Sequence, residues 1–360
     1  MVHKVRQINK DEYFETNKGS SLVDSSLNGN SVLPHGCCNG QCGSCAVQVV
    51  SGEYRYLNGY QPNGLLTSKQ QGQGWVISCM AEAVSDLVVS VPCSDRKPPP
   101  PAFFYGQVVK KTLLSKYVLK LTLKMVCDKP FSFLPGQYID VLLEGEKNRS
   151  YSISSLPNDD SVIELHIRHV EGGFFSEYAF NKLEVDTLLQ IEGPKGNFFW
   201  RSEHSNPILM IAGGTGFAPI RGMVEEILSN DPHRTIHLYW GGSKPQDFYH
   251  EQEVDQWLDV ASNMRYTPVL FTSMDDWSGR IGSAVEAVVT DYPDLSAFDV
   301  YIAGPPVMVR QGISVFPAFG LPKEQLYTDA FEYARKTKRK AGMLTKLSNL
   351  FFRRKESAIV

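Results

Sequence analysis

Gly36-Cys37-Cys38-Asn39-Gly40-Gln41-Cys42-Gly43-Ser44-Cys45, with Ile77-Ser78-Cys79-Met80 further along, decides how this chain is read. Cys37, Cys42 and Cys45 obey C-x4-C-x2-C, and Cys79 supplies a fourth thiol. Four thiolates at this spacing hold a [2Fe–2S] cluster. Gly36, Gly40 and Gly43 let the loop wrap closely and aim backbone N–H groups at sulfur, which helps set a cluster's potential. Zinc favours paired C-x2-C elements, which the first gap does not offer; buried free thiols are the other alternative. Spacing to Cys42 selects Cys37 over Cys38 as the ligand. Cys93 and Cys127 stand alone and read as packing residues.

Seven cysteines, three of them crowded together, argue for metal ligation in a reducing cytoplasm rather than a disulfide framework. The start, MVHKVRQINKDEY, has no apolar core of a secretory signal, and no run is long and apolar enough to span a bilayer. The net charge of -3 hides an asymmetry. From Arg335 to Val360 nine Lys/Arg face one Glu, a surplus of +8, leaving -11 on the rest. An acidic body with a basic tail excludes a nucleic-acid binder, whose basic patch would lie on the fold.

Working outward, Lys97-Pro98-Pro99-Pro100-Pro101 favours polyproline II and marks a spacer. The expected division is a cluster domain over 1–97, a linker over 98–102, a barrel over 103–204, an α/β domain over 205–333 and a tail over 334–360. YGQVVKKT, YVLKLTLKM, QYIDVLLE, RSYSISS, VIELHIRHV and LLQIEGP alternate like strands of an antiparallel barrel or sandwich, with FSEYAFNKL as a short helix. PILMIAGG, TIHLYWGG, RYTPVLF and DVYIAGPP read as buried strands separated by helical segments, hence a parallel sheet.

Two further motifs suggest cofactors. A flavin needs a cation and backbone donors for its pyrophosphate and an aromatic face beside its ring. Arg149 and the amides around Gly172, Gly173 and Ser176 would form the anion site. Tyr151 would stack, and the Ser152 hydroxyl would bond near flavin N5, the one catalytic role assigned. Each of these residues also suits ordinary strand filling. Gly213-Gly214-Thr215-Gly216-Phe217-Ala218-Pro219 joins a strand to a helix and would cradle a second pyrophosphate, with Gly304 and Pro305 in a similar loop. It is not the spaced G-x-G-x-x-G, and a tight turn without ligand is the alternative.

With these motifs in this order, the chain resembles the ferredoxin–NADP reductase superfamily, in the branch with an N-terminal ferredoxin domain. It looks most like CDP-6-deoxy-Δ3,4-glucoseen reductase-like proteins and the reductase components of bacterial oxygenases. LPHGCCNGQCGSC, RSYSISS, ELHIRHVEGGFFS, GGTGFAPI, LYWGGSKPQDFY and YTDAFE carry the resemblance. It implies a β-grasp first domain, FAD in a six-stranded antiparallel barrel and NAD(P)H on the parallel-sheet domain. Arg149, Tyr151, Ser152, Gly173 and Ser176 would contact FAD, and Thr215 and Gly216 the nicotinamide nucleotide. Gly304 and Pro305 would border the nicotinamide, and Phe331 would cover the flavin. Ala303 stands where many relatives carry Cys, which puts the hydride rate in doubt. A 2′-phosphate would want arginines after LYWGG, and only Ser243 and Lys244 follow, so NADH is favoured and NADPH stays open.

The expected activity is transfer from NADH through FAD and a cluster near the surface of its own domain to a protein acceptor. That acceptor is a dehydrase acting on a CDP-6-deoxy sugar or, alternatively, an oxygenase, hydroxylase or membrane desaturase. A monomer is expected. A non-enzymatic carrier or redox sensor competes, and predicts no NADH oxidation with ferricyanide. In the tail, Met343, Leu344, Leu347, Leu350 and Phe351 fit one face of a basic amphipathic helix, which suggests peripheral contact at the inner membrane face. A solvated, disordered tail is the alternative.

Overall fold

The computed structural model describes residues 2–8, 12–29, 31–92, 94–127, 130–143, 148–274 and 277–331. Cys93 and the basic tail lie outside the described residues. Three main sheets follow one another along the chain, with a further two-stranded sheet in the first unit. The first unit comprises β1 (Val2–Gln7), β2 (Tyr13–Asn17), α1 (Leu22–Leu27), β3 (Ala46–Ser51), β4 (Tyr54–Tyr56), α2 (Ser68–Gly72), β5 (Trp75–Ile77), β6 (Ala81–Ala83) and β7 (Leu87–Ser90). Its main sheet runs β2-β1-β7-β3-β5, with β1 parallel to β7 and the other pairs antiparallel. β2 alternates, so Phe14 turns inward onto Val5, Leu22, Val47, Val76 and Val89. Ser21 caps α1 by accepting from Asp24 N at 3.0 Å.

The second sheet comprises β8 (Ala102–Ser115), β9 (Val118–Val126), β10 (Tyr138–Val141), β11 (Arg149–Ser152), β12 (Val162–Arg168) and β13 (Leu188–Lys195), with α3 (Phe174–Asn181) between the last two. The order β11-β10-β13-β8-β9-β12 is wholly antiparallel. Ile153, just past β11, bridges Leu165 of β12 and nearly closes the barrel. Leu121, Leu123, Ile139, Ile163 and Ile191 fill it.

The third unit is a parallel sheet of β14 (Ile208–Gly213), β15 (Ile236–Gly242), β16 (Met264–Leu270), β17 (Arg280–Ile281), β18 (Asp299–Gly304) and β19 (Leu326–Ala330). α4 (Phe217–Asn230), α5 (Glu251–Val260), α6 (Ala284–Asp291) and α7 (Pro306–Val315) connect its strands. In the order β17-β16-β15-β14-β18-β19, the winding reverses between β14 and β18. Ligands of such sheets bind beyond the strand C-termini at that reversal. Gly213 and Gly304 end those two strands.

Candidate functional site

The cysteine loop lies where the three units meet. Gly40 and Gly43 take φ of 77°, as does Cys38 at 52°, so the loop curls tightly. Its thiols fall into two pairs: Cys37 bonds with Cys42, and the Cys45 and Cys79 sulfurs are 3.2 Å apart. Cys42, Cys45 and Cys79 are buried. Among the described residues no three His, Cys, Asp or Glu side chains gather around a single metal point. Two thiol pairs suit two metal atoms rather than one, so the donor set fits a [2Fe–2S] cluster. Backbone N–H groups reach sulfur as well, Gln41 N to Cys37 Sγ at 3.4 Å and Cys37 N to Cys42 Sγ at 3.5 Å. Without metal, Cys45 holds its proton well above the usual thiol range, through the Cys79 thiol and burial. Metal coordination reverses that by deprotonating a thiol outright.

Cys38 behaves differently. Burial pushes its thiol up to about 12, and its hydrogen bond goes to Tyr138 of β10. The same Tyr138 hydroxyl donates to Gly36 O at 2.9 Å. His35 completes the barrel side: Nδ1 donates to Leu33 O at 3.1 Å, and Nε2 accepts from Gly196 N at 3.1 Å. Only neutral imidazole can do both, in keeping with a pKa lowered chiefly by burial.

From the last sheet, Thr328 Oγ1 donates to Cys42 O at 2.6 Å, and Ser44 Oγ donates to Thr328 O. Arg310 bonds Gln41 Oε1, and Ile313 packs beside Leu65 and Cys45. The sequence suggests a cluster near the outer surface of its domain. The loop does lie at that domain's edge, but the edge is covered by β19 and α7. Sequence reasoning had no access to this contact, because residues 42 and 328 are 286 positions apart.

Beside the loop, the ends of β14 and β18 bring Gly213 and Gly216 against Ala303, Gly304 and Pro305. At the end of β14, an added Cβ on Gly213 would meet Pro305 Cδ at 2.6 Å, and one on Gly304 would lie 2.9 Å from Gly213 Cα. A Cβ on Gly216 would run into the carbonyl of Ala303. The two loops therefore touch through bare backbone, a cradle that fits a nucleotide pyrophosphate. Trp240 Nε1 anchors the turn by donating to Gly214 O at 3.0 Å, while its ring stacks 3.9 Å from Phe217. Thr215 and Pro219 are buried in the same turn and first helical turn. Phe331 N donates to Gly304 O at 2.9 Å, which brings the end of β19 to this crevice.

On the barrel, Tyr151 lies half-buried, 5.5 Å from Phe175, and α3 starts at Gly173 without a side-chain cap. An uncapped helix start beside an aromatic and Arg149 fits a flavin diphosphate. Several of these groups also bond within the barrel. Gly172 N donates to Glu177 Oε1 at 2.5 Å, the Ser176 hydroxyl bonds the Val170 backbone, and Arg149 reaches Asn148 O. Ser152 is buried and bonds Asp329, whose carboxyl burial pushes up to about 7.

Family models match in the same order along the chain. A "2Fe-2S iron-sulfur cluster binding domain" covers residues 6–84, an "Oxidoreductase FAD-binding domain" 105–200 and an "Oxidoreductase NAD-binding domain" 210–312. The CDP-6-deoxy-L-threo-D-glycero-4-hexulose-3-dehydrase reductase of Yersinia pestis is 34% identical over 88% of this chain and 95% of its own length. The ferredoxin–NAD(P)(+) reductase component of the Ralstonia naphthalene 1,2-dioxygenase/salicylate 5-hydroxylase systems is 31% identical over 89% and 95%. The crystal structure of Amycolatopsis cytochrome P450 reductase GcoB superposes with a TM-score of 0.72 at 26% identity, over 91% of this chain and 98% of that one. The chain belongs to the ferredoxin–NADP reductase superfamily, in its branch with an N-terminal [2Fe–2S] domain. It is an electron-transfer oxidoreductase of the [2Fe–2S], FAD and NAD type.

Sequence reasoning missed several residues that shape this reductase's crevice. Arg168, from β12, comes within 2.9 Å of where a Cβ on Gly214 would sit, and pairs with Asp247 at 3.7 Å. Tyr138, Asp329 and Thr328 carry no local motif. Only the YTDAFE stretch, read as a whole, pointed near the last two. Among the described residues no helix is long and apolar enough to cross a membrane.

Proposed function

We propose that this reductase takes its electrons from NADH and hands them from the cluster on Cys37, Cys42, Cys45 and Cys79 to a separate dehydrase, the kind of partner for which the Yersinia relative is named. One observation carries the reading. Ser152, Asp329, Thr328 and Cys42 follow one another through two hydrogen bonds and one peptide bond, so the flavin-side serine and the cluster loop share a strand. When bound, flavin would accept a single hydride, two electrons at once, and release those electrons one at a time, and the cluster would carry one at a time.

The chain's own groups supply alignment. Ser152 would orient the reacting edge of the ring, Gly213–Gly216 and Gly304–Pro305 would hold the nucleotide, and Phe331 would shield the ring face from water. The cluster unit would span 1–97, the linker 98–102, the barrel 103–204 and the nucleotide unit 205–333. NADH over NADPH is supported by Asp247, whose carboxylate accepts from Ser243 N at 2.8 Å and Lys244 N at 3.1 Å. A carboxylate beside that turn opposes a further phosphate. Anaerobic titration with each nucleotide tests the reading. NADH should bleach flavin and cluster absorbance and raise the reduced-cluster EPR signal, with NADPH weaker. A flavin that NADH leaves oxidised would sink it.

The Ralstonia relative favours a second acceptor, an oxygenase component. Pull-down of the acceptor separates the two. The basic tail suggests attachment at the inner membrane face. Flotation with anionic liposomes tests this, and equal behaviour of the full chain and a chain truncated at Tyr333 would discard it.

A further inference from the structure

We infer that Thr328 is a positioning residue whose hydroxyl clamps the cluster loop onto β19 and thereby governs electron passage from the flavin site to the cluster. The inference rests on the electron route proposed above.

Thr328 is 6% exposed. Its Oγ1 donates to Cys42 O at 2.6 Å and lies 3.0 Å from Ser44 Oγ, which in turn donates to Thr328 O. Strand geometry sends successive side chains to opposite faces. Thr328 therefore meets the cysteine loop while Asp329, the next residue, meets Ser152. Asp329 also pairs in register with Ala303 of β18, one residue before the Gly304 loop. Tyr138 of β10, which donates to Gly36 O and pairs in register with Ser152, ties the same two centres from the barrel side.

Other ties of this loop to the last unit are the Arg310–Gln41 bond, the Ile313 side chain, which an added Cβ on Gly43 would approach at 3.6 Å, and the packing of Cys42 with Ile302, Val309 and Ala330. None of these is a hydrogen bond to a ligand cysteine's backbone. Thr328 makes one, to Cys42 O. Valine keeps the shape of threonine but strips the partner from buried Cys42 O and removes the hydroxyl neighbour of half-buried Ser44. A lost buried hydrogen bond of this kind shifts a docked-to-undocked ratio about tenfold. Each crossing would move one electron, oxidising the flavin by one equivalent and reducing the cluster by one, and after two crossings the flavin would release to solvent the proton that arrived with the hydride. NADH supplies the electrons.

The test uses full-length holoprotein as wild type, Thr328→Val and Thr328→Ser, matched for iron, sulfide and flavin content. Anaerobic stopped-flow follows flavin and cluster bands separately after NADH is added, and hydrogen exchange follows residues 36–45. In Thr328→Val, flavin reduction keeps its wild-type rate, cluster reduction slows about tenfold and loop amides exchange faster. Thr328→Ser restores both. A Thr328→Val protein matching wild type in cluster reduction and exchange overturns the clamp, as does equal impairment in the serine variant. If NADH fails to reduce wild-type flavin, the functional reading falls, while the exchange comparison still decides the clamp.

Discussion

Burial pushes the Asp329 carboxyl pKa up to about 7, opposed by a Ser152 hydrogen bond. Unfolded, it ionises near its ordinary 3.8. The folded state thus binds the extra proton between those values, and stability falls as pH rises from about 4 to about 7. At 1.36 kcal/mol per unit the loss reaches up to about 4 kcal/mol. Asp329→Asn should remove it, so urea unfolding at pH 4 and pH 8 should show a flatter profile in the variant. The cysteines give a second residue-level outcome. Cys37→Ser should lose the cluster absorbance and EPR signal, whereas Cys38→Ser should keep both, because Cys38 turns to Tyr138 and Cys37 to Cys42. Four thiols could be found in the sequence because a cluster dictates their spacing. Thr328 and Asp329 could not, since a threonine and an aspartate in a strand carry no signal of what the fold brings opposite them.

Among the elements, the nucleotide turn is set by close approach rather than by side chains. Gly216→Ala drives a methyl into Ala303 O. Overpacking of this sort costs about 1–3 kcal/mol. NADH affinity should fall correspondingly in an equilibrium titration, while flavin and cluster spectra persist. All six barrel strands were legible, because each alternates over several residues between turn signals. β17, with two residues, and β4, β5 and β6, with three each, are too short to show a period. β19 hides for another reason: its Leu326-Tyr327-Thr328-Asp329-Ala330 mixes polar and apolar side chains because both faces meet functional groups.

At the scale of the whole molecule, Arg221 of α4 joins barrel to nucleotide unit. Its guanidinium donates to Ser154 O at 2.6 Å and to both Glu253 oxygens at 2.7 Å, with Glu164 of β12 at 3.4 Å. Removing one member of a buried ion network costs about 3–5 kcal/mol. Arg221→Ala should lower the unfolding midpoint in calorimetry and split the barrel's transition from that of the parallel sheet. The order of the three units was legible from motifs. Their mutual docking was not, because such contacts join residues that have no neighbours in common along the chain.

The span of 286 residues between Cys42 and Thr328 has a temporal side. Ribosomes extend chains at about 5–20 residues per second, and N-terminal domains fold first. The cysteine loop is therefore complete on the order of tens of seconds before its cover strand has been made. Iron and sulfide can reach the nascent loop from a side that the finished protein closes. Maturation of the metal centre should then be easier during synthesis, and reloading a protein stripped of iron should be slower than loading the nascent loop.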